Sequence, residues 1–298
     1  MKLKKNQHYV WKHYLKPWTN NEQICCLRNN KSFFTTNSKN VAVQKFFYES
    51  TKLTEVDNKF IEAYLNQFHP SAFQSLNRLI SMYDETTNWD EYLQKCGLED
   101  FHGIVETDFI PLLDKVYKGD LSFLKNVENL NKFGFFIGCQ YMRTNKMKKA
   151  ILETLGSFKN LSNISIPNYY HNLNFKGIAD VILLFKSDII GNWIFSNGFV
   201  QIIDNCTDIN FITGDQPVIN IKSDRDQKEN PMGFELYYPI SPRKALYIQN
   251  NDIKEKKKCI TEESRVRFLN DRIHHHHQEQ IFAKYESDIE RYKNPNTI

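Results

Sequence analysis

The sequence predicts an α+β fold, mostly helical, with a small antiparallel sheet in the C-terminal third and a final helix. Three observations carry that expectation. Apolar residues recur at spacings of three and four through most of the first 190 residues. After Trp193 the pattern changes to short Ile-, Val-, Phe- and Tyr-rich runs split by Asn, Asp, Gly and Pro. Helical spacing then returns over 261–277. No repeat or long linker interrupts the 298 residues, so a single domain is expected, helical over about 1–190 and sheet-containing over about 191–298.

The opening stretch KLKKNQHYVWKHYLKPWT reads as a docked element rather than a basic arm. His8, Trp11, Leu15 and Trp18 fall at helical spacing, which predicts a short helix after about Tyr9, buried by its aromatic face up to Pro17. His8 then sits just before a helix start, where backbone N–H groups favour an anion. Residues 39–70 and 71–100 are expected to be helical, with His69–Pro70 as punctuation. A further helix covers about 100–118 and stops at the KGD of 118–120. A long one covers 126–156 and ends near Gly156, and another covers about 176–190. The strands of the meander are FVQIID, INFITG, PVINI, FELYYPI and KALYIQ. TEESRVRFLNDRIHHHH closes the fold as a helix with acids in its first turn.

Composition excludes several classes. A net charge of +4 spread over the chain does not by itself announce a nucleic-acid binder. The longest apolar run, VILLF at 181–185, is far short of the roughly 20 residues that span a bilayer. No apolar stretch follows the basic start, so no signal peptide is expected and the location is cytoplasmic. Cys25, Cys26, Cys96, Cys139, Cys206 and Cys259 form no CxxC pair and read as reduced thiols. KEKKK at 254–258 reads as a solvated loop. His274 and His277 can share a helix face, but a tetrahedral metal site needs a third ligand that the sequence does not supply.

Polar residues on apolar faces mark the candidate site. The stripe Phe133, Phe136, Ile137, Gln140, Arg143 or Thr144, Met147 and Ile151 places Gln140, Arg143 and Thr144 inward. A buried guanidinium costs several kcal/mol unless paired, so Arg143 meets an internal carboxylate or lines a cleft for an anion. Asn270 falls on the face set by Val266, Leu269 and Ile273, either fixing a loop or orienting a ligand. Asp215 stands in a turn at a strand end, between Gly214 and Pro217, as a functional carboxylate or a turn former. Ser241 and Arg243 can face the same end.

These pieces resemble the domain-of-unknown-function 4238 family of bacterial and some fungal proteins. Gln7-His8-Tyr9-Val10 with Tyr14-Leu15 and Trp18 is similar to its HYVP-x-x-YL-x-x-F pattern. Gln140-Tyr141-Met142-Arg143-Thr144 resembles its Q-x-x-R-T element, and Thr213-Gly214-Asp215-Gln216-Pro217 its T-S-D-x-P turn. Tyr238-Pro239-Ile240-Ser241-Pro242 resembles its YPLSP strand, and Asn270 its C-terminal helix asparagine. The likeness runs from residue 6 to about 285. Trp11 replaces the usual proline and Gly214 the common serine, which argues against an essential hydroxyl beside Asp215. Because some relatives occur in anti-phage defence regions, the resemblance implies a cytoplasmic effector or toxin.

Three functions remain open. The first is a nuclease-like effector cleaving RNA or another phosphodiester. There His8 serves as base or acid, Arg143 clamps the phosphate, and Asp215 orients His8 or holds a divalent metal. Gln7, Tyr9, Tyr14, Gln140, Thr144, Thr213 and Asn270 contact the substrate. Lys4, Lys5, Lys146, Lys148 and Lys149 add backbone contacts. The second is a non-catalytic sensor for a nucleotide or phage component. The third is a buried network that joins helices to sheet. No cofactor and no membrane partner is named, and oligomeric state is left open.

Overall fold

A computed structural model describes residues 1–66, 73–88, 90–157, 172–224, 234–250 and 257–293. The N-terminal segment contributes strand β1 (Asn6–His8), the one-turn helix α1 (Lys12–Leu15), β2 (Gln23–Arg28), β3 (Ser32–Asn37) and β4 (Val43–Lys45). Helices follow: α2 (Glu55–Asn66), α3 (Phe73–Asn88), α4 (Glu91–Tyr117), α5 (Val127–Met142), α6 (Asn145–Ser157) and α7 (Phe175–Asn197). Then come β5 (Phe199–Asn205), β6 (Thr213–Gly214), β7 (Ile219–Asn220), β8 (Glu235–Ser241), β9 (Lys244–Gln249) and β10 (Lys257–Ile260). Helix α8 (Glu263–His276) and β11 (Gln280–Ala283) complete it. The class is α+β and mostly helical, as expected.

The helices begin where short polar side chains cap them. Asp90 accepts the Leu93 N–H at 2.8 Å to open α4, and Asn126 accepts the Asn129 N–H at 2.9 Å to open α5. Asn174 does the same for α7, accepting the Gly177 N–H at 3.1 Å. Helix α7 is buried along almost its whole first half, from Gly177 to Phe185, so it is the central rod of the helical layer.

Helices α5 and α7 cross with their backbones in contact. A Cβ built on Gly138 would lie 2.1 Å from the Ser187 carbonyl oxygen, and one on Gly134 would lie 2.6 Å from that of Gly191. Gly134/Gly138 and Ser187/Gly191 thus form two facing small-residue pairs, antiparallel to each other. This crossing fixes where the C-terminal end of α5 comes to rest.

Besides the two-stranded β1–β4 sheet, two larger sheets accompany the helices among the described residues. One runs β10-β5-β9-β8-β7, antiparallel except for the parallel β10–β5 pair. The other runs β3-β2-β11-β6, all antiparallel. A main apolar core runs from Tyr9 to Phe282 and joins helices to sheets. A smaller one lies under Val266, Leu269 and Ile273 of α8.

Several expectations change. The predicted helix over 39–70 begins only at Glu55, because Ala42 and Phe46 adopt positive φ (47° and 49°) and the segment pairs β4 with β1. The predicted 126–156 helix breaks at Arg143–Thr144, where the Thr144 hydroxyl accepts the Met147 N–H at 3.4 Å and restarts the helix as α6. The helix expected over 100–118 starts at Glu91, and INFITG keeps only its last two residues as strand. Sheet is not confined to the C-terminal third, since β3 pairs with β2 and β2 with β11, which itself follows the expected final helix. Cys206 and Cys259 are not free thiols: they form a disulfide with Cα atoms 6.1 Å apart. The parallel β10–β5 pairing brings those two chain positions, 53 residues apart, together. His69–Pro70 and Lys254–Lys256 of the basic run lie outside the described residues, whereas Lys257 and Lys258 belong to β10.

The crossing gives a direct test. Gly138→Ala should lower stability by about 1–3 kcal/mol or more through overpacking against the α7 backbone. Gly103→Ala, on α4 where an added Cβ meets nothing within 4 Å, should raise it by about 0.5–1 kcal/mol. Urea unfolding midpoints of the two variants should therefore move in opposite directions.

Candidate functional site

The one-turn helix at the N-terminus forms much as the aromatic spacing predicts. Tyr14, Leu15 and Trp18 are fully buried, and a 3₁₀ turn over Lys16–Trp18 follows α1. His8, however, lies in β1, and Trp11 is the residue that precedes α1. The imidazole Nε2 contacts the Lys39 carbonyl at 3.1 Å. Gln7 pins this strand: its Nε2 donates to the Lys95 carbonyl at 2.6 Å, and its Oε1 accepts the Tyr48 N–H at 2.8 Å. Tyr48 in turn donates its hydroxyl to the His8 carbonyl at 3.2 Å.

Helix α4 presents three polar side chains at helical spacing, Glu99, His102 and Glu106. Arg143, the residue that ends α5, is only 4% exposed and ion-pairs through Nη2 with Glu106. Burial opposes its charge, but the Glu106 carboxylate holds it, and the guanidinium stays charged above its ordinary range. Burial also raises Glu106, against the pull of Arg143. Glu99 is pushed up to about 7, first by burial, with the Arg143 charge opposing and the Glu106 charge assisting. His8 is lowered, mainly by burial, with its Lys39 contact opposing and the charges of Lys12 and Arg143 assisting. His102 is held well below its ordinary value by burial and by Arg143.

At neutral pH this yields a half-buried neutral imidazole, a carboxyl near half protonation and a fixed cation, gathered where β1, α4 and α5 meet. Such a set can accept a proton, give one and counter a developing negative charge. Gln140 lies one turn before Arg143 on α5, 1% exposed, and neither of its carboxamide atoms has a partner among the described residues. Arg143 Nε and His102 Nδ1 are likewise unpartnered there. Behind them a cavity of about 20 Å³, lined by Tyr48, His102, Arg143, Lys148, Asp180 and Ser187, has room for a water molecule.

The remaining predicted site residues are committed to the fold. Asp215 does not reach His8; its Oδ1 accepts the Gln278 N–H at 2.8 Å and its Oδ2 those of Glu279 and Gln280 at 2.8 and 3.0 Å. Burial raises its carboxyl, and these N–H groups pull it back. With both oxygens so occupied, Asp215 clamps β6 to β11, and it is not the carboxylate that serves His8. Among the described residues no group of three or more His, Cys, Asp or Glu side chains can hold a metal ion. Asn270 takes its loop-fixing role, accepting the Ile212 N–H at 3.1 Å and donating to the Asn210 carbonyl at 2.8 Å.

Tyr14 donates to the Pro239 carbonyl at 2.6 Å and shares a 2.5 Å hydrogen bond with the Thr213 hydroxyl. Thr144 donates to Gln216, whose Nε2 donates to the Tyr141 and Val218 carbonyls, both at 2.9 Å. Tyr9 is buried against Phe47, ring centroids 5.1 Å apart. Gln7, Tyr9, Tyr14, Thr144, Thr213 and Asn270 therefore act as joints rather than as a substrate surface. Arg243 donates to the Thr207 carbonyl, and its N–H to Ser241 Oγ at 3.2 Å.

The basic tract also turns inward. Lys148 pairs with buried Asp180 at 2.7 Å, and Lys146 donates to the His276 carbonyl at 2.9 Å. Lys4 is held by Asp100 at 2.6 Å. In the histidine run, His274 stacks on Tyr292 with centroids 4.5 Å apart, and His277 Nδ1 contacts the His274 carbonyl.

Glu99, His102 and Glu106 escaped the sequence reading. Their signal is an E-x-x-H-x-x-x-E spacing that straddles the expected boundary between the 71–100 and 100–118 helices, whereas α4 runs unbroken from Glu91.

One family model, described as Protein of unknown function (DUF4238), matches residues 6–287. No curated protein and no solved structure matches the chain.

Glu99 carries a pH test. Its folded-state value, about 7, lies above the ordinary 4.5, so between these values the folded chain binds more protons than the unfolded one. Its contribution is complete below 4.5 and is lost as pH rises through about 7. Glu99→Gln should therefore gain stability relative to wild type between pH 4 and pH 8, by roughly 2–3 kcal/mol. Urea midpoints at the two pH values measure it.

Proposed function

The chain belongs to the DUF4238 family, and from that premise we propose a nuclease-like effector that cleaves RNA at the site formed by His8, Glu99 and Arg143. The observation that supports the reading is the buried Arg143–Glu106 ion pair on the α4 face that also carries Glu99, a carboxyl that burial pushes up to about 7, with α4 tied through the Gln7–Lys95 hydrogen bond to the strand that bears the half-buried His8.

In this reading neutral His8 takes the proton of a ribose 2′-hydroxyl, and that oxygen attacks the adjacent phosphorus. Protonated Glu99 gives its proton to the departing 5′-oxygen. The products are a 2′,3′-cyclic phosphate and a free 5′-hydroxyl, and a later exchange of protons through water resets both groups. Arg143, held charged by Glu106, counters through its field the charge that builds on the non-bridging oxygens. Glu106 is a positioning residue that holds the guanidinium in place. Action on RNA sets the effector in the cytoplasm, and the anti-phage setting follows from the family resemblance. Among the described residues no helix is long and apolar enough to cross a membrane.

A second reading, a sensor that binds a nucleotide without turnover, is favoured by the unpartnered Gln140 carboxamide on the same face as Arg143. Variant kinetics separate the two. Under the first, His8→Ala, Glu99→Gln and Arg143→Lys each lower RNA cleavage by about 10²–10⁴-fold while remaining folded. The wild-type rate should also follow a bell-shaped pH profile. RNA left intact by wild type, or full activity in folded Glu99→Gln, rules the chemistry out. Nucleotide binding without cleavage, abolished by Gln140→Leu, selects the sensor.

A further inference from the structure

Of the lysines expected to contact a nucleic-acid backbone, Lys4, Lys146, Lys148 and Lys149 are internal or paired, whereas Lys5 is exposed and joins three other lysines on the segments near His8. Lys5, Lys12, Lys39 and Lys45 are all exposed, and none forms an ion pair among the described residues. Their placement is fixed by backbone contacts. Asn6 is the register partner of Lys45, and the Phe46 N–H donates to the Lys5 carbonyl at 2.9 Å, so Lys5 and Lys45 share one end of the β1–β4 ribbon. Lys39 gives its carbonyl to the His8 imidazole, and Lys12 opens α1 close enough for its charge to act on that ring. The four exposed lysines thus stand on the segments that neighbour His8: the β1–β4 ribbon, the turn whose carbonyl the imidazole meets, and the start of α1.

A second observation comes from Phe46. It is half-buried and carries φ of 49°, a left-handed backbone that a bulky residue rarely adopts. Lys45 and Lys95 place their ammonium groups 5.7 and 5.2 Å from its ring centroid. A partly exposed aromatic ring next to a row of unpaired lysines is the combination by which proteins grip single strands, a base stacking on the ring once the lysines turn to the phosphates. A membrane surface would be met by lysines with a projecting apolar patch; here they frame a recessed imidazole instead.

We propose that Lys5, Lys12, Lys39, Lys45 and Phe46 form a track for a single-stranded nucleic acid, which they lead across His8. The inference rests on the reading of that site as acting on RNA and names its substrate as a strand of several nucleotides rather than a mononucleotide. Phosphates flanking the reacting one bind Lys5 and Lys45 on one side and Lys12 and Lys39 on the other.

The test uses a 5′-labelled 12-nucleotide 2′-O-methyl RNA, which lacks the attacking hydroxyl and is bound without cleavage. Fluorescence anisotropy across 50–300 mM KCl should give a log K against log[salt] slope of roughly −3, as four phosphate contacts require. Changing all four lysines to Gln should flatten the slope to shallower than about −1 and weaken binding at 50 mM salt about 100-fold or more. Phe46→Ala should weaken it roughly tenfold with the slope unchanged. If the fourfold variant does not fold, the Lys5/Lys45 and Lys12/Lys39 double variants should each lose about half of the slope. A fourfold variant equal to wild type overturns the track, as does wild type that ignores the probe but binds vesicles of acidic phospholipid. Wild type that binds with the expected slope yet leaves ordinary RNA intact keeps the track and removes the chemistry proposed for His8 and Glu99.

Discussion

A guanidinium removed from water must find an opposite charge, and the Arg143–Glu106 pair is the interaction on which this site depends. Arg143 is forced inward because it follows the apolar stripe of α5. Glu106 has to meet it, so α4 must turn that face toward the end of α5. Glu99 and His102 share the face and are carried into the same place. Glu99 then takes its raised value from the burial that the pairing imposes. β1 is tied to the same helix by Gln7, whose Nε2 donates to the Lys95 carbonyl of α4 at 2.6 Å.

The position of Arg143 rests in turn on the α5–α7 crossing. With Gly134 and Gly138 against Gly191 and Ser187, the two helices approach more closely than side chains would allow. Sliding α5 by one turn would move Arg143 by about 5 Å, beyond reach of Glu106. The small residues therefore do geometric work for a site that lies one to two turns away. Polar side chains elsewhere divide by whether their atoms are satisfied. Asp215, Asn270, Gln216 and Gln7 have their hydrogen bonds filled by backbone or neighbouring groups. Gln140, Arg143 Nε and His102 Nδ1, all at the α4–α5 junction, do not among the described residues, and neither do the buried hydroxyls of Tyr237 and Tyr238 on β8.

Much of the fold was legible in the sequence because it is local. Apolar spacing marks α4, α5, α7 and α8, and β-branched runs mark β5, β8 and β9. The inward turn of Gln140 and Arg143 follows from the same spacing. What was not legible depends on distant partners. Asp215 looks catalytic at a strand end, but its partners are N–H groups more than 60 residues away. The β2–β3 hairpin carries a local sign in Asn29–Asn30, both at positive φ, yet its pairing with β11 has none. Glu99 looks like an ordinary helix-surface acid until β1 and α5 close over it. Cys206 and Cys259 became a pair only through a parallel strand register.

The central claim is that Glu99 is held near neutrality by its surroundings, and carboxyl titration tests it most directly. The ¹³C shift of the Glu99 side-chain carboxyl, assigned by its loss in Glu99→Gln, should titrate with a midpoint at about 7. A midpoint near the ordinary value of 4.5 would contradict the account.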